Sequence, residues 1–303
     1  MSKYNLKDKV ILITGASGGI GSASTRMLIE KGAKVTLVDL SKEAVTALSA
    51  QLPAGSTLPF AADVTNIEQM TAAVEATVAK FGRLDIVWAN AGIANDPAVT
   101  LATADLKNYE KVIEVDLLGV VRTVKPALEQ IIQNKGQVIV TGSGYSFINA
   151  VLNSAYGASK AGAEMFTRSL RAELAPHGAS ASVLYPSWTK TAITHSTQDD
   201  VLLNQLFKHA YRGPLGTFAE PQDIAAGLVS GLQKRSARIF APSWWAGFSA
   251  LRGIINPISD SWLDRDKIAH DLILKIEAQR KASATTIGKQ VAQIINLPNK
   301  KVN

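Results

Sequence analysis

Val10-Ile-Leu-Ile-Thr-Gly-Ala-Ser-Gly-Gly-Ile-Gly21 opens the regular part of the chain. Residues 10–13 are all aliphatic and predict a strand, and the glycine-rich turn runs directly into a stretch with helical spacing. Gly15, Gly19 and Gly21 hold the demanding positions. A Cβ at any of them would block the tight strand-to-helix path and the close approach of a pyrophosphate. The first N–H groups of the helix, and the positive end of its dipole, then face the anion that the turn receives. A glycine pattern alone is a weak signal. Here it follows the first strand and opens a helix, which is the context a dinucleotide site requires.

The alternation continues outward to about residue 240. Short β-branched runs at 34–38, 84–88, 137–140, 181–185 and 238–240, with a weaker one at 57–61, are separated by stretches such as Ile67, Met70, Val74, Val78 and Phe81, spaced as one face of a helix. Near-continuous apolar strands between helices imply a parallel sheet covered on both faces. Right-handed crossovers make that sheet doubly wound, so the fold class is α/β of Rossmann type. With no repeat or linker in the way, residues 1–242 read as one domain. After Pro242 the pattern changes. Residues 243–251 are rich in aromatics, and residues 260–281 have helical spacing through Leu263, Ile268, Leu272 and Ile276, with a loose end expected from Ala282. Residues 243–303 read as a helical extension of the domain.

Composition narrows the function. Of 303 residues, 47% are apolar and 19% charged, against a usual ~25% charged, which excludes a disordered or coiled-coil chain. Without cysteine there is no disulfide framework, zinc-thiolate site or thiol nucleophile. The four histidines, His177, His195, His209 and His270, lack metal-ligand spacing, so no metal is expected and they read as surface or packing residues. The formal charge is +7, with nine Lys/Arg against five Asp/Glu from Ala241 onward. Such a tail can touch membrane or nucleic acid. Its cations are scattered, however, so a solvated tail is the stronger reading and no nucleic-acid partner is expected. Residues 239–251, the most apolar stretch, would span only about 20 Å as a helix, short of a ~30 Å bilayer core. The charged N-terminus carries no signal-type apolar run, and the expected location is cytoplasmic.

Asp39 ends the second strand, 18 residues beyond Gly21. A carboxylate there suits the hydroxyls of an adenosine ribose. A 2′-phosphate beside it would cost roughly 4 kcal/mol per charge pair before screening, at ~4 Å and an effective dielectric near 20. Lys42 is the only basic residue close by, at the exposed start of a helix. The expected cofactor is therefore NAD.

Farther on, Tyr156 and Lys160 stand at i and i+4, on one face of a helix. A phenol has a pKa near 10, and a neighbouring cation favours its ionised form. A phenol tuned in this way can take or give a proton while a hydride moves to or from nicotinamide. Ser143, after the fifth strand, can donate to the same substrate oxygen.

Together the Thr14-to-Gly21 glycines, Asp63-Val64, Asn90-Ala91-Gly92, Ser143, and Tyr156 with Lys160 resemble the short-chain dehydrogenase/reductase family over residues 6 to 240. Ser143 precedes Tyr156 by 13 residues, as in that family. The resemblance implies a seven-stranded sheet and an NAD-dependent oxidoreductase. It assigns the cofactor to Gly15, Ser17, Gly19, Ile20, Gly21, Asp39, Asp63, Val64, Asn90, Ala91, Gly92, Tyr156, Lys160, Pro186 and Thr191. It makes Tyr156 the general acid/base, has Lys160 hold the nicotinamide ribose and lower the tyrosine pKa, and has Ser143 orient the substrate oxygen. Asp63 would bind the adenine amino group and Thr191 the carboxamide. The resemblance also implies a homodimer or homotetramer formed through the helices that carry Asp116 and Tyr156.

Three positions depart from the family pattern. Asp116 stands where an asparagine usually ties a water chain to the lysine. As a carboxylate it can accept but not donate, and it joins the catalytic set with an effect on the tyrosinate left open. Ser187 replaces a glycine and is expected to point to solvent. Thr141-Gly142 stands where a second serine is common.

After Pro186, residues Trp188, Leu202, Leu203, Leu206, Phe207 and Tyr211 suggest a substrate lid, to which the extension adds Trp244, Trp245 and Phe248. Apolar pockets suit apolar ligands, so the expected substrate is a bulky hydrophobic secondary alcohol or its ketone. The same aromatics serve equally well to pack the extension, and with Arg238 and Arg252 they also suit a membrane surface. Two other functions fit the motifs: a 3-oxoacyl-thioester reductase, and a non-catalytic NAD-binding sensor or scaffold. Arg168 and Arg171 read as exposed or interfacial.

Overall fold

The computed structural model describes residues 3–191, 194, 199–211 and 213–295. Seven strands form the sheet: β1 (Val10–Thr14), β2 (Lys34–Asp39), β3 (Thr57–Ala61), β4 (Ile86–Ala89), β5 (Gln137–Thr141), β6 (Ser180–Pro186) and β7 (Arg238–Ala241). All pairings are parallel, in the order β3-β2-β1-β4-β5-β6-β7. β1 and β5 are buried at every residue. Burial on both faces is why they read as continuous apolar runs rather than as alternating patterns. The register sets Val10 beside Lys34 and Ile11 beside Ile86. Because the winding reverses between β1 and β4, the C-terminal ends of those strands leave a crevice that no crossover covers.

The first helices are α1 (Gly19–Glu30), α2 (Lys42–Ala50), α3 (Ile67–Phe81), α4 (Leu106–Ile113), α5 (Gly119–Val124), α6 (Leu128–Gln133) and α7 (Ser154–Leu174). One layer packs Leu28 of α1, with Ile224 and Leu228 of helix Pro221–Lys234, against Ile13, Leu37 and Trp88. The other packs Met70 and Val74, Val124, Ile131 and Ala163 against Leu12, Val87 and Val138. Each of the larger aliphatic side chains among them stabilises the fold by about 1.5–3 kcal/mol when fully buried. Local signals set the boundaries. The Asn66 side chain caps α3 by accepting from the Gln69 N–H, and Gly82 ends it at φ +82°, a left-handed conformation that a Cβ would strain.

Beyond β7 the chain forms two helices, Trp245–Leu263 and Lys267–Ile295. The expected single helix over 260–281 is therefore divided. The second helix starts where the Asp266 carboxylate accepts from the N–H groups of Ile268 and Ala269, a strong N-cap. It also continues past Ala282, where a loose end was expected, through a stretch supplied with Ala, Lys and Gln, which are good helix formers. Ala269, Leu272 and Ile276 pack on Leu203 and Leu206 of helix Val201–Ala210, and on Ala98 and Leu152. Among the described residues no helix is long and apolar enough to cross a membrane.

Candidate active site

A cavity of about 1080 Å³ opens at the C-terminal ends of the strands. Its wall includes Gly15, Ser17, Gly19, Ile20, Gly21, Asp39, Asp63, Val64, Asn90, Ala91, Gly92, Ser143, Tyr156, Lys160, Pro186 and Thr191. Asp116 lies behind that wall: a Cβ on Gly92 would sit 3.0 Å from its Oδ2. The fold thus brings the sequence candidates from several strand ends to one space.

At the β1 turn, Gly15 adopts φ +63°, and a Cβ on Gly21 would lie 2.3 Å from the Gly15 carbonyl oxygen. The Gly18 N-cap of α1 has no side-chain cap. The first N–H groups of that twelve-residue helix are therefore unclaimed by any side chain, and they face a cavity lined by glycine, which is what a phosphate group needs. Asn90 locks the turn from the side. Its amide donates to the carbonyls of Thr14 and Gly15 at 3.1 and 3.2 Å, and its Oδ1 accepts from the Thr141 hydroxyl at 3.0 Å. The Asp39 carboxylate accepts from the backbone N–H and hydroxyl of Ser17 and from the Leu40 N–H. These three bonds leave acceptor capacity on its oxygens. Asp63 Oδ1 is used locally, accepting from the N–H and hydroxyl of Thr65 at 2.8 Å each. Thr191 closes the other side of the turn, its Cγ2 standing 3.0 Å from where a Gly19 Cβ would be.

Helix α7 presents Tyr156 and Lys160 to the same cavity. Lys160 Nζ lies 5.3 Å from the Tyr156 ring centroid, donates to the Thr141 carbonyl at 3.2 Å and pairs with Asp116 Oδ2 at 3.0 Å. Asp116 sits in a π-helical turn, Glu114–Leu118, between α4 and α5. Such turns re-aim a side chain off the regular helical face. Here the carboxylate is turned inward, with its Oδ1 accepting from the Ile93 N–H at 2.7 Å. The sequence marked Asp116, but it carried no signal for the π turn. Ser143 stands beside the Tyr156 phenol in the cavity wall and accepts from the Tyr145 N–H at 3.2 Å. Thr141, one of the departures from the family pattern, proves to be a hub: besides the contacts above, its hydroxyl accepts from Trp88 Nε1 at 2.9 Å.

Lys160 lowers the tyrosine pKa in the expected direction, but other influences outweigh it. Burial pushes the Tyr156 phenol up; Lys160 and Ser143 pull it down, the Asp116 charge opposes them, and the net direction is upward. Burial works against the charge of Lys160, yet Asp116 and Tyr156 hold its ammonium above the usual lysine value. Burial likewise raises the Asp116 carboxyl, against the pull of Lys160 and the Ile93 N–H. Lys160 is held as a cation between the Asp116 carboxylate and the Tyr156 phenol.

Aromatic side chains line much of the rest of the cavity, with Lys107, Glu110, Lys111 and Glu114 at its polar part. Tyr145, Trp188, Phe207 and Tyr211 pack edge-on or tilted, at centroid distances of 4.9 to 5.1 Å for the pairs that involve Trp188 or Phe207 with Tyr211. The Tyr211 phenol donates to the Asn149 carbonyl at 3.3 Å. Burial pushes Tyr211 up to about 12. The extension supplies Trp245, Phe248, Ile255, Trp262 and Leu263 to the same wall. Trp245 is buried against Phe147 and Tyr185, beside Gly144 next to Ser143. Ser187, expected in solvent, is buried: its N–H donates to the Ala241 carbonyl at 2.9 Å, continuing the β6–β7 ladder inward. Arg171, read as exposed or interfacial, is a structural tie whose guanidinium donates to the carbonyls of Ala181 and Arg235. His209, read as surface or packing, pairs with Asp266 at 2.6 Å across 57 residues and stacks on Trp262. That separation left no local signal for it. His195 lies outside the described residues.

The profile of the short chain dehydrogenase family matches residues 9–202. Cis-4-hydroxycyclohexanecarboxylate dehydrogenase of Sinomonas cyclohexanicum is 32% identical over 224 residues, 73% of this chain and 88% of that protein. The 3-oxoacyl-[acyl-carrier-protein] reductase of Thermotoga maritima is 32% identical over 228 residues, 74% of this chain and 90% of that protein. Among solved structures, a short-chain type dehydrogenase/reductase from Mycobacterium marinum superposes with a TM-score of 0.70 at 26% identity, covering 78% of this chain and 94% of that one.

Proposed function

The chain belongs to the short-chain dehydrogenase/reductase family, oxidoreductases of CH–OH groups that use a nicotinamide dinucleotide, and on that premise we propose that it interconverts a bulky hydrophobic secondary alcohol and its ketone with NAD. The observation that carries this reading is the continuity of the cavity: the uncapped α1 turn and Asp39 line one end of it, Ser143, Tyr156 and Lys160 its middle, and Trp188, Phe207, Trp245, Phe248 and Trp262 the other. Apolar walls with few polar groups suit an apolar ligand held by one oxygen. The substrate named for the Sinomonas relative is an alicyclic secondary alcohol, although it also carries a carboxylate.

When bound, the nicotinamide supplies the hydride acceptor or donor. The N–H groups of α1 hold the phosphates, Asp39 accepts from the adenosine ribose, and its charge disfavours a 2′-phosphate. Asp63 with Val64, Asn90 to Gly92, Pro186 and Thr191 border the rest of the cofactor. Ser143 donates to the substrate oxygen, and the Tyr156 oxygen takes the carbinol proton in oxidation and returns it in reduction. Lys160, anchored to the Thr141 carbonyl and to Asp116, keeps a positive charge beside the phenol and reaches the nicotinamide ribose. A homodimer through the helices around Asp116 and Tyr156 is supported by Leu118, Val121 and Met165, which are exposed there.

The test is NADH formation from alicyclic, long-chain and steroid alcohols, with NAD⁺ and NADP⁺ side by side. Turnover is expected with NAD⁺ on alicyclic or steroid alcohols, and Tyr156→Phe is expected to lower it roughly 10²–10⁴-fold with cofactor binding retained. Equal efficiency with NADP⁺ would overturn the cofactor assignment. The similarity to the Thermotoga enzyme favours a second reading, a 3-oxoacyl-thioester reductase; NADPH-driven reduction of an acetoacetyl thioester would select it. Silence on every substrate with NAD still bound would make the protein a sensor or scaffold.

A further inference from the structure

A second cavity, of about 410 Å³, lies between α7 and the β7 edge of the sheet and shares no lining residue with the large one. Its floor includes Thr167, Ala181 and Val183, and its charged residues are Arg168, Arg171 and Arg238. No carboxylate lines it. The fold gathers these three cations from two elements. Arg168 and Arg171 are three residues apart on α7, hence neighbours on one face. The register sets Arg238 of β7 beside Val183 of β6. Ile239 faces the helix Pro221–Lys234, where a Cβ on Gly231 would stand 2.4 Å from its Cγ1. Arg238, one residue earlier on the strand, therefore faces the opposite side, toward α7.

The positive charge of this groove is largely uncompensated. Glu164, the carboxylate within reach of Arg168, stands 3.8 Å from it and is held closer by Arg252, at 2.9 Å. Arg171 donates to the carbonyls of Ala181 and Arg235, which fix its guanidinium without neutralising it. Burial, and then the charge of Arg235, lowers the Arg171 pKa. Arg238 is exposed and has neither a hydrogen bond nor an ion pair with another described residue. Like charges held together work against the folded state. An anion seated among them reverses the sign of that contribution.

We propose that this groove binds a phosphate group, as the free ion or on a small phosphomonoester, at a place separate from the nicotinamide dinucleotide. Charge and shape select that ligand. A carboxylate would offset one of three positive charges, whereas a phosphate carries about −1.5 to −2 at neutral pH. Planar guanidinium forks match its oxygens and bind them through charge-assisted hydrogen bonds. Arg171, pinned by two carbonyls, presents a fixed charge at the floor, and Arg168 and Arg238 are free to close on the ligand from α7 and β7. The volume falls in the range of small-molecule sites, roughly 300–1,000 Å³, and the aliphatic floor leaves room for the rest of an ester.

The test is thermal unfolding of the full chain with NAD⁺ saturating, so that phosphate does not report on the α1 turn, and it does not depend on activity. Inorganic phosphate is compared with chloride at equal ionic strength. At about ten times its dissociation constant, phosphate should raise the native melting temperature by about 2–4 °C. Arg168→Gln/Arg238→Gln should weaken phosphate binding about tenfold or more and melt no lower than the native chain in chloride, because mutual repulsion is relieved. If the double variant melts early, Arg238→Gln alone replaces it, since that side chain has no partner to lose. A matching rise with glycerol 3-phosphate marks the ligand as a phosphomonoester, and a rise with inorganic phosphate alone marks it as the free ion; both support the site. No rise in the native chain, or a rise that the substitutions leave intact, overturns the proposal. Gel filtration in which the substitutions change the oligomeric state also overturns it, by assigning the arginines to a contact between copies.

Discussion

Two aspartates are fully buried, at 0% exposure, at opposite ends of the same sheet. Asp85 stands at the N-terminal end, just before β4. It accepts from the Val10 N–H at 3.0 Å, from Lys9 at 3.0 Å and from both arms of the Arg83 guanidinium at 2.8 and 2.6 Å. Asp116 stands at the C-terminal end and has one N–H and one cation, Lys160, which is itself buried. The chemistry is similar, but the consequences differ. The cations of Asp85 remain partly in water, so they are desolvated less, and the cluster lines no part of the cavity. It ties β1 to β4. The cation of Asp116 is shared with a phenol that faces the cavity, so the pair acts on the reactivity of a third group. A buried ion pair is therefore structural or functional according to what else its cation touches and where the cavity lies, rather than according to its own geometry.

Asp85→Ala gives the largest effect that separates the two. Breaking a fully buried pair costs about 3–5 kcal/mol. Because Lys9 and Arg83 are partly solvated, their loss counts for less, while the Val10 N–H is left unpaired at a cost of about 1–3 kcal/mol. The expected destabilisation is about 2–3 kcal/mol in denaturant unfolding, with the rate per folded molecule unchanged. A matching loss of rate would erase the contrast.

Asp116→Asn should change activity as well as stability. It leaves the buried Lys160 ammonium without its carboxylate, a loss held below the about 3–5 kcal/mol of a fully broken pair because the amide oxygen still accepts from it. In the native site burial raises the Tyr156 phenol, Lys160 and Ser143 lower it, and Asp116 raises it. Removing the carboxylate removes one raising influence, so the phenol loses its proton at lower pH. The rate of alcohol oxidation against pH should keep its shape and move to the acid side, with a gain of a few-fold at neutral pH. Tyr145, whose ring is 6.1 Å from that of Tyr156, is the other phenol facing it, and Tyr145→Phe should leave this displacement in place. A profile that moves to the alkaline side would mean that loss of charge on Lys160 outweighs relief of the phenol.

The nucleotide end was legible because its constraints are local. A turn that needs glycine at residues 15, 19 and 21, and a carboxylate closing β2, leave their marks within thirty residues. The strands were legible for a similar reason: burial on both faces forces continuous apolar runs. What escaped depends on distant partners. The net rise in the Tyr156 pKa needs its burial and the π turn that aims Asp116 at Lys160. The inward position of Ser187 needs β7, whose Ala241 extends the ladder beside it. Trp245 was noticed as an aromatic, but its seat against Gly144 could not be, because a glycine shows no preference for the ring that will fill its missing side chain. The aromatic residues after Pro186 announced a pocket, while the ion pairs that hold that pocket's wall joined residues too far apart to suggest one another.

Those ion pairs give the smallest and most discriminating prediction. Helix Val201–Ala210 is held at both ends by the second extension helix. Asp200, its N-cap, pairs with Arg280 at 2.8 Å, and His209 near its C-terminus pairs with Asp266 at 2.6 Å. Between them Leu203 and Leu206 pack on Leu272 and Ile276. The helix carries Leu203, Leu206 and Phe207 into the cavity wall, so its position sets the room available for substrate. The apolar contacts supply most of the attachment, and each pair, at 7–15% exposure, is less solvated than the cations of Asp85. His209→Gln keeps a hydrogen-bonding side chain and should cost less stability than Arg280→Met, which leaves the Asp200 carboxylate without its cation, a loss of about 1–3 kcal/mol. Each should raise KM for a bulky alcohol about two- to threefold, with kcat and the KM for the cofactor preserved, because the wall that they loosen touches only the substrate. If KM for the cofactor rises in step, the helix is tied to the nucleotide end as well, and the division of the cavity into two independently built halves fails.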